Sequence, residues 1–194
     1  MKNSLVIISA CQYTQLALMN LLPEENYCIS CFLNVDSKVE SILKGSCGYV
    51  LIDNIPSLSA GEQVLLACIL RLRNKFGQWL VCLTGDLDKF EYSSVSKLYN
   101  GYHFICSMMT IDCYRKYLLQ WLMLPLPGKN IPFKLLTFRE LEILKVLMQG
   151  RSLSEVARYE QRSLKTLHTI AVQALVKLEI DTINDFKLLY TGCG

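Results

Sequence analysis

With 194 residues, this chain is long enough for two small domains. Its hydrophobic fraction of 52% is ample for two cores, 19% of residues are charged, and the net charge is +3. The longest apolar runs fall far short of the roughly 20 residues that span a bilayer, and the N-terminus lacks the pattern of a signal peptide. We therefore expect no membrane-spanning helix and no signal peptide, and predict a cytoplasmic protein.

The first 123 residues alternate short apolar segments with longer helical segments. Near-continuous apolar strands that alternate with helices are typical of a parallel sheet covered on both faces. Five such repeats predict a flavodoxin-like (βα)5 domain over residues 1–123, with Arg71 and Arg73 on a solvated helix face. The predicted strands are Leu5–Ser9, Tyr27–Leu33, Tyr49–Ile52, Trp79–Thr84 and His103–Cys106, and the predicted helices are Tyr13–Leu22, Ser37–Lys44, Gly61–Lys75 and Asp112–Met123.

The nine cysteines do not predict a disulfide framework or a metal site. They are odd in number and mostly embedded in apolar runs, as buried thiols are in a reducing compartment. The single C-x-x-C, Cys28 to Cys31, falls on a predicted strand, where positions three apart face opposite sides. No second Cys/His pair lies at ligand spacing, and no nucleophile–base pair or glycine-rich phosphate loop is present. We therefore expect no metal, no cofactor, no catalytic residues and no enzymatic activity.

A proline-rich segment separates the two halves of the chain. Residues 124–133 contain three prolines and one glycine, which is typical of a linker. The predicted organisation is a domain over residues 1–123, a linker over 124–134 and a second domain over 135–194.

Two capping boxes mark helix starts in the second domain. Thr137 with Glu140, and Ser152 with Glu155, allow the hydroxyl and the carboxylate of each pair to bond the exposed amides of a first helical turn. Gly150 between them suits the left-handed position after a helix end. The pattern predicts two short amphipathic helices separated by a tight break.

A third predicted helix runs from the Ser163 cap to about Leu178, after a turn at Gln161 and Arg162. This spacing indicates a helix-turn-helix unit, in which the second paired helix lies in the DNA major groove. At 100° per residue, the buried side is predicted to carry Leu164, Leu167, Ala171, Ala174, Leu175 and Leu178. The predicted DNA contacts are Ser163, Lys165, Thr166, His168, Thr169, Val172, Gln173 and Lys177.

The segment from Leu136 to Leu178 resembles the C-terminal DNA-binding domain of LuxR/FixJ-type transcription regulators. The resemblance implies an all-α, four-helix domain that binds double-stranded DNA, in which the last helix, Thr182–Tyr190, supports dimerisation. The matching residues are Leu136, Thr137, Arg139, Glu140, Glu142, Leu144, Gly150, Ser152, Glu155, Val156, Ala157, Ser163, Thr166, Lys177 and Leu178.

The groove-facing positions depart from that family. The family often has Lys, His and Asn where this chain has His168, Ile170 and Gln173, and a basic residue is common at the position of Val172. Residues 135–194 hold eight basic and seven acidic residues, a net charge of +1. Because phosphate neutralisation supplies most non-specific affinity, we expect weak DNA binding by this domain alone.

The first domain resembles the receiver domain of response regulators, but its phosphorylation chemistry is incomplete. Residues 9–11, Ser-Ala-Cys, stand where the family has its metal-binding acids, and residues 102–107 hold no lysine after the fifth strand. Asp53 lies three residues before Pro56, where the family usually has four, whereas Thr84 matches the Ser/Thr position. Phosphoryl transfer to a carboxylate needs both the metal and the charge neutralisation. The resemblance therefore implies a pseudo-receiver in which Asp53 is vestigial.

Two hypotheses follow. The first is a DNA-binding transcription regulator whose pseudo-receiver serves dimerisation or partner binding, similar to atypical enterobacterial regulators of capsule and fimbriae; it would act as a homodimer or as a heterodimer with another response regulator. The second is an interaction protein that heterodimerises with another response regulator through its receiver-like domain and sequesters it without reading DNA, with Val172 and Val176 facing a protein.

Overall fold

The computed structural model describes residues 3–22, 26–73, 78–91, 93, 95–127 and 134–191. An α/β part, up to residue 127, is followed by a helical part, from residue 134. The strands are β1 (Asn3–Ile8), β2 (Tyr27–Phe32), β3 (Tyr49–Asp53), β4 (Leu80–Gly85) and β5 (His103–Cys106). The helices are α1 (Gln12–Leu21), α2 (Ser37–Gly45), α3 (Ala60–Leu70), α4 (Leu87–Glu91), α5 (Ile111–Leu122), α6 (Phe138–Met148), α7 (Leu153–Tyr159), α8 (Leu164–Leu178) and α9 (Ile183–Thr191).

The five strands form one parallel sheet in the order β2-β1-β3-β4-β5. This is the strand order of flavodoxin-like folds, whose ligand crevice lies at the carboxyl ends of the strands beside the β1/β3 switch point. The predicted fold class, a flavodoxin-like α/β part followed by an all-α part, is confirmed. The sheet brings Asp53, at the end of β3, into register with Thr84 on β4.

The sheet is buried on both faces, which explains its apolar strands. Val6 and Ile8 of β1 point into one core, and Leu5 and Ile7 point into the other, because successive side chains of a strand alternate. Residues of α1 and α5 complete the second core. Residues of α2 and α3 join the first core, and so do α6, α7, α8 and α9 of the helical part.

The third helix is shorter than the predicted Gly61–Lys75. It ends at Leu70, and residues 74–77 lie outside the described part. Beyond the helix, Leu72 forms a parallel bridge with Leu136. The Leu136 amide donates to the Arg71 carbonyl, and the Leu136 carbonyl accepts from the Arg73 amide, both at 2.8 Å. Pairing with the start of the helical part therefore replaces the last predicted helical turn.

The prediction that Arg71 lies on a solvated face is wrong. Arg71 is only 1% exposed. Its Nη2 donates to the Leu98 carbonyl at 2.9 Å, and its Nη1 donates to the Lys177 carbonyl at 3.2 Å. The guanidinium thus joins α3 to the carboxyl end of α8, where the helix dipole favours a cation.

A second set of contacts joins the two parts. Helix α9 packs mainly against α3, and the Lys145 ammonium of α6 lies 2.7 Å from a Glu40 carboxylate oxygen of α2. The predicted linker, residues 124–134, falls largely on residues 128–133, which lie outside the described residues. Within the described part, no helix has the length and apolar composition to cross a membrane.

Candidate nucleic-acid interface

The helical part contains the predicted pair of helices joined by a tight turn. Thr137 with Glu140 and Ser152 with Glu155 form complete capping boxes at the starts of α6 and α7. Gly150 has a φ of +75° after α6, so the predicted left-handed stop is confirmed. These local bonds fix where α6 ends and α7 begins.

The turn between α7 and α8 is equally compact. Gln161 adopts a left-handed φ of 52°, and the Arg162 amide donates to the Ala157 carbonyl at 3.0 Å. Ser163 is the N-cap residue of α8, as predicted, but its side chain makes no capping hydrogen bond. The backbone geometry of the turn therefore sets the direction of α8.

The buried face of α8 agrees with the helical wheel except at its first residue. Leu164 was predicted to be buried but is 47% exposed. It lies in the first turn of α8 and lines an open hollow beside α7 and α9. The buried residues of α8 are Leu167, Ala171, Ala174, Leu175 and Leu178.

The opposite face of α8 is open to solvent. Two valines contribute apolar surface to it, since Val172 is 42% exposed and Val176 is 57% exposed. The Thr169 hydroxyl donates back to the Lys165 carbonyl at 2.9 Å. The structure brings together on this exposed side, including the N-cap, the predicted contacts Ser163, Lys165, Thr166, His168, Thr169, Val172 and Gln173.

Lys177 lies apart from the other predicted contacts. Its ammonium is 2.7 Å from both carboxylate oxygens of Glu140, which is 4% exposed. Burial alone would raise the pKa of Glu140, but hydrogen bonds from Lys177 and Thr137 outweigh it and lower the pKa below its ordinary value. The Lys177 side chain thus ties α8 to α6.

A basic hollow beside the exposed face was not found from the sequence. It has a volume of about 660 Å³, and Arg151, Lys165 and Lys187 line it together with His168. Arg151 directly precedes the Ser152 cap, a sequence signal for a cation next to a helix start. Lys187 belongs to α9, and no local pattern could place it opposite α8.

Several cations of the helical part are engaged in ion pairs. Lys145 and Lys177 form ion pairs with glutamates, and Arg139 pairs with Glu160. By contrast, the three basic residues of the hollow have no ion-pair partner within 4 Å among the described residues. The hollow therefore groups three cations without an ion pair, contributed by the segment before α7, by α8 and by α9, whereas Arg158 and Lys134, which also form no ion pair among the described residues, do not line it.

The sheet edge holds a second group of polar side chains. The Ser9 hydroxyl lies 3.0 Å from Asp53 Oδ2, and the Thr84 hydroxyl lies 2.9 Å from Asp53 Oδ1. Tyr114 in turn hydrogen-bonds Thr84, and burial raises the pKa of its phenol to about 12. Asp53 is thus half-buried and held by neutral hydroxyls. Among the described residues, no group of three or more His, Cys, Asp or Glu side chains is arranged to hold a metal ion.

The chain matches no protein-family model and no curated protein. Among solved structures, it is similar to full-length FixJ from B. japonicum, at 15% identity over 98% of this chain and 97% of that chain, with a TM-score of 0.42. It is also similar to the RcsB response regulator from Salmonella typhimurium, at 15% identity over 100% and 99% of the two chains, with a TM-score of 0.45. An RcsB structure of two dimers bound to two DNAs gives 14% identity and a TM-score of 0.45, over 99% of this chain and 98% of that chain. These TM-scores are low, and the fold class follows from the strand order of the sheet.

Proposed function

We propose that this protein is a DNA-binding transcription regulator with a LuxR-type helix-turn-helix over residues 135–194. The observation that carries the proposal is the exposed face of α8, with its polar side chains in the first half of the helix. Such a helix fits the major groove, with its N-terminal half against base edges. In this arrangement Lys165 and Thr166 contact bases or phosphates, and Arg151 and Lys187 contact the DNA backbone.

The domain over residues 1–123 acts in this proposal as a pseudo-receiver that serves dimerisation or partner binding. Ser9 occupies the strand end where receivers carry a metal-binding acid, and its hydroxyl bonds Asp53. A phosphoryl group on Asp53 would lack both a metal and a lysine after β5 to neutralise its charge. A response regulator as a partner would supplement the limited positive charge of the helical part.

Electrophoretic mobility shift at low and moderate salt, with and without a candidate response regulator, tests DNA binding. We expect Lys165→Ala with Thr166→Ala to weaken the complex by about 1–3 kcal/mol, the range of a good base contact. Lys116→Ala, which removes an exposed cation from α5, is the matched control and should leave affinity unchanged. If no promoter fragment shifts at low salt, with or without the response regulator, the proposal of direct DNA binding is wrong.

Incubation with acetyl phosphate and Mg²⁺, followed by intact-mass analysis, tests the pseudo-receiver. We expect no mass increase of one phosphoryl group. An adduct that maps to Asp53 would contradict this part of the proposal and leave the DNA-binding part standing.

The second candidate function is sequestration of another response regulator. Val172 and Val176 favour it, because two exposed apolar side chains on α8 suit a protein surface better than phosphates. An effect on transcription that survives the Lys165→Ala, Thr166→Ala change but is lost in Val172→Asp, Val176→Asp would favour sequestration. Loss in both variants would favour DNA binding.

A further inference from the structure

A cavity of about 720 Å³ opens at the carboxyl end of the sheet. It lies between α1, the ends of β3 and β4, and the segment that joins β5 to α5. Open α/β sheets bind small ligands in this place, and the volume falls within the range of small-molecule sites, about 300–1,000 Å³. Asp53 and Asp86 line it from the sheet side, and Lys89 lines it from α4.

One wall of the cavity is apolar. Helix α1 contributes Ala17, Leu18 and Leu21, the segment before α5 contributes Met109, and α5 contributes Ile111. Ala17 and Ile111 are exposed, so a ligand that covers them would remove apolar surface from water. This wall suits an aliphatic or aromatic body.

The opposite end carries a negative charge. Asp86 is balanced by Lys89, whose ammonium lies 3.4 Å from its carboxylate. Asp53 has no cationic partner among the described residues, and only the hydroxyls of Ser9 and Thr84 bond it. A carboxylate offers about four acceptor positions, so Asp53 can accept further hydrogen bonds from a donor in the cavity.

We propose that this cavity binds a small organic ammonium, an amine with an apolar body, whose charged nitrogen donates to Asp53. A charge-assisted hydrogen bond of this kind is stronger than a neutral one, and the α1 and α5 wall covers the apolar body. Anionic ligands would meet the unpaired charge of Asp53, and neutral ones would lack the ammonium contact. The proposal rests on Asp53 remaining unphosphorylated, which the intact-mass experiment measures separately and without the amine.

Three compounds of nearly equal size test the site by isothermal titration calorimetry on the full chain without DNA. Phenethylamine carries the ammonium, phenethyl alcohol is its neutral counterpart, and 3-phenylpropanoate is an anion. We expect phenethylamine to bind at millimolar or lower concentration, and at least about tenfold more tightly than the other two, as the loss of one charge-assisted hydrogen bond implies.

The variant that tests the contact is Asp53→Asn. It should weaken the binding of phenethylamine about tenfold and make its affinity equal to that of phenethyl alcohol. Asp88→Asn is the matched control, because Asp88 is an exposed residue of α4 that does not line the cavity. Ala17→Phe fills the apolar side of the cavity without altering Asp53 and should weaken amine and alcohol alike. Circular dichroism of each variant monitors folding.

Three results would overturn the proposal: no binding of phenethylamine, equal binding of the amine and the alcohol to the unmodified protein, or unchanged amine affinity in Asp53→Asn. An amine affinity that falls equally in Asp88→Asn would show attraction by surface charge and would also overturn it.

Discussion

At the scale of single residues, Arg71 links the two parts of the molecule. Its guanidinium is buried and donates to two backbone carbonyls, one at Leu98 and one at Lys177. A buried carbonyl whose hydrogen-bond donor is removed stays out of contact with water and has no partner, which costs free energy. Arg71 therefore contributes to the stability of the junction between the α/β part and α8.

Replacement of Arg71 by methionine should lower the free energy of unfolding by about 2–4 kcal/mol, because both carbonyls lose their donor. Urea unfolding measures the change. Arg73→Met is the control, since the Arg73 side chain is exposed and its backbone amide still bonds Leu136; it should change stability by less than about 0.5 kcal/mol. Equal effects of the two substitutions would contradict the structural role of Arg71.

The Glu140–Lys177 pair makes a pH-dependent contribution to stability. The pKa of Glu140 is lowered in the folded protein because the hydrogen bonds from Lys177 and Thr137 outweigh burial. A lowered carboxyl pKa stabilises the fold above the unfolded-state pKa of about 4.3, and the stabilisation disappears as the pH falls through the folded-state pKa.

The unmodified protein should therefore exceed Glu140→Gln in unfolding free energy at neutral pH, and the difference should shrink below about pH 4. Urea unfolding at several pH values measures it. Glu142→Gln serves for comparison, because Glu142 is 64% exposed and pairs with Arg139 at the surface. The unfolding free energy of this variant should differ little from that of the unmodified protein at every pH. A Glu140→Gln difference that does not vary with pH would exclude this contribution.

At the scale of elements, the pair α7 and α8 was predicted well from the sequence. Capping boxes, a positive φ at Gly150 and the periodicity of α8 depend on residues within four positions of one another, so their pattern is visible locally. The exception, Leu164, lies at a helix end, where periodicity cannot tell whether a neighbouring element covers the side chain. The basic hollow was missed because α8 and α9 approach each other only in the folded chain.

The hollow gives a measurable prediction for the proposed DNA complex. Arg151→Ala and Lys187→Ala should each reduce the slope of log affinity against log salt by about 0.9, the value for one phosphate contact. Fluorescence anisotropy across a salt series measures the slopes. Lys116→Ala, on α5, should leave the slope unchanged. If both variants have the same slope as the unmodified protein, then neither Arg151 nor Lys187 contacts a DNA phosphate.

At the scale of the whole molecule, the sheet and the helical part share one hydrophobic core. Residues of β1, β3 and β4 belong to the same cluster as Phe186 of α9, which is fully buried. Both tryptophans, Trp79 and Trp121, lie in the α/β part. Because the core is continuous, we expect both parts to unfold together.

Phe186→Ala should lower the free energy of unfolding by about 3–5 kcal/mol, as large-to-small changes in a core do. The decisive measurement compares tryptophan fluorescence, which reports on the α/β part, with circular dichroism, which reports on all helices; both midpoints should fall together. Leu188→Ala, on the exposed side of the same helix, should have little effect. A fluorescence midpoint that stays unchanged while the dichroism becomes biphasic would show two independent units.

The sequence by itself determined the strands, most helix bounds, the fold class and the exposed face of α8, because these depend on local hydrogen bonding and on the period of apolar residues. Only the tertiary structure decided that Arg71 is buried, that Lys177 pairs with Glu140, and that Arg151 and Lys187 surround one hollow. Each of these arrangements joins side chains from elements distant in the chain. Their pairing depends on how whole elements pack, which no local pattern records.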